Sequence, residues 1–171
     1  MLFRSYAVDP THTYVTFEAK HFGTSTNRGR FDKKSGSVTL DTAAKTGKVE
    51  ITLDTGSINT GSAAFDKHLK SKDFFNAEAF PTATFASDKV LFDGDKVVAV
   101  VGNLTLLGKT QTVTFKADHF GCYDNPMLKR QVCGGDFQTT IKRSEFGMNY
   151  GIAYGIPDDV KLVVQIEAVK Q

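Results

Sequence analysis

The sequence predicts an all-β protein: an antiparallel barrel of eight strands, with one short helix between the third and fourth strands. Eight segments alternate apolar and polar residues with a period of two, and short turns join most of them. One stretch in the middle has helical spacing instead. Eight strands close a barrel just wide enough for side chains or one small ligand, and closure leaves no exposed edge strand. A β-sandwich is the alternative for the same pattern.

The first three predicted strands each have one apolar face. The strand at 12–22 follows an extended lead-in at 6–9, and the strand at 29–40 is expected to be interrupted at Ser35-Gly36. The strand at 48–55 alternates most regularly. The apolar faces of the three strands consist of Val15, Phe17, Ala19 and His21, then Phe31, Val38 and Leu40, then Val49, Ile51 and Leu53.

The stretch from 62 to 85 carries the predicted helix, at 62–72, and a loop with two adjacent phenylalanines. Ser62 suits the N-cap, and Asp66 lies early enough to interact favourably with the helix dipole. Phe65, His68 and Leu69 fall at i, i+3 and i+4, on one face of the helix. After Phe74 and Phe75 the chain breaks at Asn76 and Pro81. An apolar helix and loop among strands suggest a plug or lid over an apolar space.

The remaining strands are predicted at 82–92, 96–107, 111–122, 131–142 and 160–169, with an irregular piece at 143–148. An Asp-Gly turn at 93–94 is a strong hairpin signal. The apolar faces of the last four strands consist of Val98, Val100, Leu104 and Leu106; Val113, Phe115 and Ala117; Phe137, Thr139 and Ile141; and Val160, Leu162, Val164, Ile166 and Ala168. In the strand at 96–107 the opposite face, with Val97, Ala99 and Val101, is apolar too, so part of this strand could be covered on both sides.

Length and composition indicate one globular domain, 1–171, with 40% hydrophobic and 23% charged residues. A net charge of +2, with lysines and arginines spread along the chain, gives no support for nucleic-acid binding. No apolar run approaches the roughly 20 residues that span a bilayer. Residues 1–10 lack the apolar core of a signal peptide.

Cys122 and Cys133 flank a loop with the turn signal Asn125-Pro126. If that loop joins two antiparallel strands, the two sulfurs lie near each other, and a disulfide would contribute about 3 kcal/mol. A disulfide places the protein in an oxidising compartment. Two reduced, half-buried thiols are the alternative.

Catalytic and metal-binding patterns fail on spacing. The segment 102–110, GNLTLLGKT, has five residues between its glycines where a phosphate-binding loop has four, and no GxSxG elbow occurs. The four histidines form no local zinc motif. His68 is expected to pack beside Leu69. His21, at the end of an inward-facing row, could meet a ligand head group.

Phenylalanine accounts for fourteen residues, and tryptophan is absent. Phenylalanine has no polar group, so a space lined by Phe, Val, Leu and Ile suits a long hydrocarbon better than a polar metabolite. The same residues could instead pack against one another as an ordinary core, and apolar alternation does not distinguish a filled barrel from a hollow one.

Ordered motifs along the whole chain resemble those of the YceI-like family. These are DPTH at 9–12, HFG at 21–23, GRF at 29–31, HLKSKDFFN at 68–76, FPTATF at 80–85, GNLTLLG at 102–108 and RSEFGM at 143–148. Cys122, Pro126-Met127 and the segment 132–137 are most similar to proteobacterial periplasmic members, which include a ubiquinone-binding protein. The chain lacks the Gly-x-Trp of true lipocalins.

The resemblance implies an extended lipocalin-like barrel that holds an isoprenoid lipid, either a ubiquinone-8-like quinone or a polyprenyl phosphate, without catalysis. It also implies a periplasmic or secreted protein, commonly a homodimer, with transient membrane contact for lipid exchange. The leader of a periplasmic member is missing, so residues 1–5 are expected to stand in its place. No motif fixes the head group.

Sixteen residues are therefore predicted to bind the ligand, with Cys122–Cys133 as a disulfide and no metal ligand. The expected wall is Phe17, Ala19, Phe31, Ile51, Leu53, Phe85, Leu104, Phe115, Phe137, Ile141 and Leu162; Phe65, Leu69, Phe74 and Phe75 close one end, and His21 contacts a head group. Two other functions stay open: an interaction or stress-response module with a filled core, and a metal-dependent enzyme that uses His21 or His119.

Overall fold

The fold is a closed antiparallel barrel, seen in a computed structural model that describes residues 3–171. Its strands are β1 (Arg4–Val8), β2 (Tyr14–His21), β3 (Ser25–Phe31), β4 (Lys34–Asp41), β5 (Thr46–Asp54), β6 (Ile58–Asn59), β7 (Thr82–Asp93), β8 (Lys96–Leu106), β9 (Lys109–Asn125), β10 (Arg130–Lys142) and β11 (Asp159–Lys170). The helix α1 (Ala63–Lys70) lies between β6 and β7. This helix is too short to cross a membrane, and no other helix among residues 3–171 is long and apolar enough to do so.

The ring of the barrel runs β1-β4-β5-β7-β8-β9-β10-β11 and closes where β11 pairs with β1. Eight strands in the ring confirm the predicted fold class. Beyond β1, strand β2 takes over the pairing with β11, and β3 and β6 extend the sheet beside it. The predicted first strand is the single strand β2 and its lead-in is β1, whereas the predicted second strand is divided into β3 and β4.

The break in the second predicted strand lies at Asp32 and Lys33, and the expected interruption at Ser35-Gly36 is wrong. At the break, Asp32 and Lys33 donate backbone N–H bonds to the carbonyl and the hydroxyl of Ser57, at 3.1 and 2.9 Å. Gly36 lies within β4 and pairs with Ile51, and a Cβ at this position would come within 2.3 Å of the Glu50 carbonyl oxygen. Glycine therefore permits a close strand pair here instead of ending the strand.

A β-bulge at Val98 turns this residue away from the apolar face on which alternation places it. Leu91 pairs with Ala99 whereas Phe92 pairs with Val97, so Val98 has no partner in the ladder. Val97 turns inward and is 4% exposed, while Val98 faces outward at 38%. A second shift, between Asp136 and Phe137 in the pairing of β10 with β9, lets Phe120 face inward.

The helix begins where the sequence predicts, since the hydroxyl of Ser62 accepts the N–H of Phe65 at 3.3 Å. It ends at Lys70, two residues before the predicted bound. Asp66 accepts the N–H and the hydroxyl of Thr60 at 2.8 and 2.6 Å, and thereby fixes the turn that leads into the helix.

A disulfide joins Cys122 to Cys133, which face each other across β9 and β10 with Cα atoms 4.1 Å apart. The predicted pairing at the base of the hairpin is confirmed. Of the expected leader replacement at 1–5, Met1 and Leu2 lie outside the described residues, and Arg4 and Ser5 begin β1, where they pair with Leu40 and Thr39.

Candidate functional site

The barrel encloses a cavity of about 550 Å³. Its wall comes from the inward faces of the ring strands and of β2 and β3, together with one face of α1. All sixteen residues that the sequence predicts for ligand binding line this cavity, although their contact with a ligand stays a prediction. They are Phe17, Ala19, His21, Phe31, Ile51, Leu53, Phe65, Leu69, Phe74, Phe75, Phe85, Leu104, Phe115, Phe137, Ile141 and Leu162.

The inward residues of the last strand, Val160, Leu162, Val164 and Ile166, are only half-buried, although they face the centre of the barrel. A side chain in a filled core would be fully enclosed, because protein interiors are packed to crystal density. These side chains keep accessible surface because they border an empty space. The structure therefore favours a hollow barrel over the filled core that the sequence left open.

The far end of the cavity is closed by a second group of buried side chains. Tyr6, Leu40, Val90 and Val97 are each no more than 5% exposed and pack together there. The hydroxyl of Tyr6 donates a hydrogen bond to the amide oxygen of Gln131 at 2.8 Å, so the polar end of this ring is satisfied.

The opposite end of the barrel carries the mouth of the cavity. Four lining residues are exposed to solvent, namely Lys20, His21, Phe22 and Tyr150. Lys20 and His21 end β2, Phe22 lies in the turn that follows it, and Tyr150 lies in the segment between β10 and β11. A ligand would enter and leave between these segments and α1.

The helix and its following loop form one side of the mouth. The ring of Phe75 meets the buried ring of Phe31 edge to face at 5.4 Å. The rings of Phe74, His68 and Tyr150 make a three-membered edge-to-face cluster with centroids 5.0 to 5.2 Å apart. The predicted lid therefore covers part of this end, but exposed lining residues remain beside it.

A buried arginine, which sequence reasoning did not select as a site residue, lies beside the mouth. Arg143 is 4% exposed and lines the cavity. Its guanidinium donates to the carbonyl oxygens of Pro157, Met148 and Ile156 at 2.9, 2.9 and 3.4 Å. Burial lowers the pKa of Arg143, while the charge of nearby Asp158 opposes that shift. The motif RSEFGM at 143–148, one of those that carry the family resemblance, was the sequence signal that could have identified Arg143.

Among the described residues, the permanently charged side chains that line the cavity are all positive. No Asp or Glu occurs among the cavity-lining residues within the described chain, whereas Lys20 and Arg143 both line it beside its mouth. Hydrogen-bond donors at the mouth suit a ligand that ends in carbonyl, hydroxyl or phosphate oxygens. The rest of the wall is almost wholly apolar and offers area without directional bonds.

A separate group on the outer wall could hold a cation. Asp9, His12 and Glu167 bring one ligand atom each within 4.8 Å of one another. His12 Nδ1 lies 2.9 Å from Asp9 Oδ2, and this hydrogen bond raises the pKa of His12. His119 lines a groove of about 350 Å³ beside His12, while His21 lies at the mouth, so the two histidines of the metal-enzyme hypothesis face different spaces.

Comparison with protein families gives one match, to the YceI-like domain over residues 6–168. Among similar proteins, a UPF0312 protein of Pseudomonas aeruginosa is 37% identical over 161 residues, which cover 94% of this chain and 83% of that protein. Protein YceI of Salmonella arizonae is 35% identical with the same coverage.

Solved structures with the same fold include BcnA of Burkholderia cenocepacia, at a TM-score of 0.77 and 28% identity, covering 94% of this chain and 98% of that one. The YceI protein of Campylobacter jejuni has a TM-score of 0.76 and 27% identity, with 89% and 90% covered. A polyisoprenoid-binding domain from Saccharophagus degradans shares the fold at 18% identity, with a TM-score of 0.72 over 97% and 98% of the two chains.

Proposed function

Because this chain belongs to the YceI-like family, we propose that it binds an isoprenoid lipid in its cavity and stores or carries it without chemical turnover. The observation that carries the proposal is the enclosed apolar space of about 550 Å³, which opens at one end beside cationic side chains. Small-molecule cavities in proteins commonly have volumes of about 300–1,000 Å³. The fold is shared with a domain that is described as binding a polyisoprenoid.

Burial of the tail supplies the affinity. Each CH₂ group removed from water contributes roughly 0.8 kcal/mol, less the free energy needed to order the chain. Phenylalanine, valine and leucine side chains along the wall match a branched hydrocarbon, since they present rounded apolar groups and no unsatisfied donors. The sixteen predicted residues act in this proposal as the wall and the mouth of the lipid site.

The head group lies at the mouth, where His21 and Lys20 are exposed and Arg143 is buried nearby. A ubiquinone-type quinone is the first candidate, because its ring carbonyls and methoxy oxygens accept hydrogen bonds and carry no charge. A polyprenyl phosphate is the second candidate, favoured by the absence of carboxylates in the described lining. Binding of the phosphate should weaken as salt is added, whereas binding of the quinone should not.

We further propose a periplasmic or secreted location, which the Cys122–Cys133 disulfide supports because such bonds persist in oxidising compartments. The expected homodimer stays a prediction that sedimentation equilibrium would test. The hollow apolar cavity supports lipid binding over the interaction-module and enzyme hypotheses.

The direct test is to purify the protein from a quinone-containing host and identify what it carries. Native mass spectrometry should show an added mass, and organic extraction should release one isoprenoid lipid per chain. Protein that is fully folded, contains no lipid and gains none from added ubiquinone-8 or polyprenyl phosphate would overturn the proposal. A salt titration of the binding then separates the two head groups.

A further inference from the structure

Phe22 occupies the tip of the hairpin between β2 and β3 in an unfavourable backbone conformation. Its φ is +51°, that of Gly23 is +68°, and the N–H of Thr24 donates to the carbonyl of His21 at 3.0 Å. Positive φ at both central residues is the type I′ geometry, which strongly favours Asn, Asp and Gly. A bulky residue in the left-handed region is uncommon and generally marks strain.

The fold gains little from the side chain that is held there. The ring of Phe22 is 57% exposed, and its close neighbours are the His21 ring at 4.8 Å and the backbone at Gly155. Asparagine would fit this turn better and would expose less apolar surface. A residue that is unfavourable in both respects calls for a functional explanation, since strained and exposed apolar positions cluster at binding sites.

Phe22 is part of an aromatic surface around the mouth. Tyr154 is 81% exposed and Tyr150 is 42% exposed, and both lie in the segment 147–157, which contains no charged residue. We name Phe22, Tyr150 and Tyr154 the mouth rim. Tyrosines concentrate at the boundary between lipid acyl chains and water, where their polar and apolar parts are both accommodated, and a phenylalanine ring beside them is wholly apolar.

Beside the mouth rim, Lys20 is a basic side chain that has no carboxylate partner among the described contacts. Residues 19–31 contain Lys20, Arg28 and Arg30 and no carboxylate. Arg28 and Arg30 pair with Glu18 and Asp32 at 3.0 Å, while Lys20 bonds only to the hydroxyl of Thr26 among the described contacts. A basic residue held near an anionic leaflet contributes about 1 kcal/mol of attraction.

We propose that the mouth rim docks on the surface of an anionic phospholipid bilayer, with the ring of Phe22 inserted among the acyl chains. The inference rests on the proposed lipid-binding function and names the surface with which the cavity exchanges lipid. Docking in this orientation seals the mouth against the bilayer, so an isoprenoid tail passes between membrane and cavity without crossing water. In this proposal the strained backbone at Phe22 is retained because its ring serves lipid exchange with the membrane, not because it stabilises the fold.

The absence of tryptophan from the chain allows a site-specific test. Phe22→Trp introduces a single indole at the mouth rim, and Met127→Trp introduces a matched one at the opposite end, where Met127 is 90% exposed. On mixing with phosphatidylethanolamine–phosphatidylglycerol vesicles, Phe22→Trp emission should shift to the blue and be quenched by brominated acyl chains. The emission of Met127→Trp should not change. No shift at position 22, or equal shifts at both positions, would overturn the proposal.

A second pair of variants separates docking from lipid retention. Tyr154→Ser alters a residue outside the cavity lining, so lipid retention should stay unchanged while transfer to vesicles slows. Phe22→Asn should raise the thermal stability and lower the vesicle affinity roughly tenfold, the effect of losing one inserted aromatic ring. Unchanged transfer in both variants would refute the role of the mouth rim.

Other outcomes remain distinguishable. A blue shift of Phe22→Trp that grows with protein concentration in the absence of vesicles would assign the surface to a second copy of the chain and overturn membrane docking. If wild-type protein carries no isoprenoid lipid but Phe22→Trp still inserts into vesicles, the proposed function fails while the docking surface stands.

Discussion

Phe75 packs its ring edge to face against Phe31, with centroids 5.4 Å apart and Phe31 only 4% exposed. This contact joins the loop after α1 to the barrel wall. Phe74, its neighbour in sequence, points instead to His68 and Tyr150 at the mouth. Two adjacent phenylalanines therefore have different surroundings, and one of them fixes the loop while the other borders the opening.

We predict that Phe75→Ala and Phe74→Ala separate folding from retention. Phe75→Ala should lower the free energy of unfolding by about 2 kcal/mol, less than the 3–5 kcal/mol of a fully buried phenylalanine because the ring is half-buried. Phe74→Ala should lower it less and speed the loss of bound lipid more. Urea denaturation and lipid release to acceptor vesicles measure the two effects. Equal effects of both variants on stability and release would show that the loop acts only as core.

A second prediction concerns Arg143, whose guanidinium bonds to three backbone carbonyls of the segment 148–157. Arg143→Met roughly keeps the length of the side chain but leaves the buried carbonyl of Met148 and the part-buried carbonyls of Ile156 and Pro157 without this donor, at a cost of about 1–3 kcal/mol for a fully buried group and less for the others. We expect a loss of several kcal/mol in urea denaturation and faster proteolysis within 149–156. Arg143→Lys should recover only part of the stability, because one ammonium group does not reproduce the planar fork.

The nearby Asp158 gives a pH prediction. Hydrogen bonds from the side chain and backbone of Ser144, at 2.7 and 2.8 Å, lower the pKa of Asp158 in the folded protein. A lowered folded pKa means that the carboxylate contributes stability above the unfolded value of about 3.9, and that this contribution is lost as the pH falls through the folded value.

Asp158→Asn should therefore be less stable than wild type at pH 6, and the difference should shrink below about pH 4. Thermal unfolding followed across this range measures the effect. Asp159→Asn is the matched control, because Asp159 forms an exposed ion pair with Lys142 and should change stability little at any pH. A stability difference for Asp158→Asn that stays constant down to pH 3 would contradict the assigned hydrogen bonds.

Period-two alternation predicted most of the inward face, because β2, β5 and β11 keep their register without interruption. It failed at Val98 and missed Phe120, since a β-bulge reverses the facing of later residues and leaves no mark in polarity. It also missed Arg143, whose burial depends on carbonyls from residues up to 14 positions away. The hollow centre was not predictable, because a strand whose valines face a void has the same alternation of apolar and polar residues as a strand whose valines are packed in a core.

The last prediction tests whether the void itself is the functional feature. Val164 points into the cavity from the middle of β11 and is half-buried, whereas its neighbour Val163 does not line the cavity. Val164→Phe adds volume to the empty space, so the fold should keep or slightly raise its stability, unlike an insertion into a filled core, which costs about 1–3 kcal/mol. Lipid capacity should fall, because the added ring occupies the path of the tail.

Val163→Phe adds the same volume outside the lining and should leave the bound lipid unchanged, as extraction and native mass spectrometry would show. If Val164→Phe unfolds the protein while Val163→Phe does not, the barrel is filled at this level and the lipid must lie elsewhere.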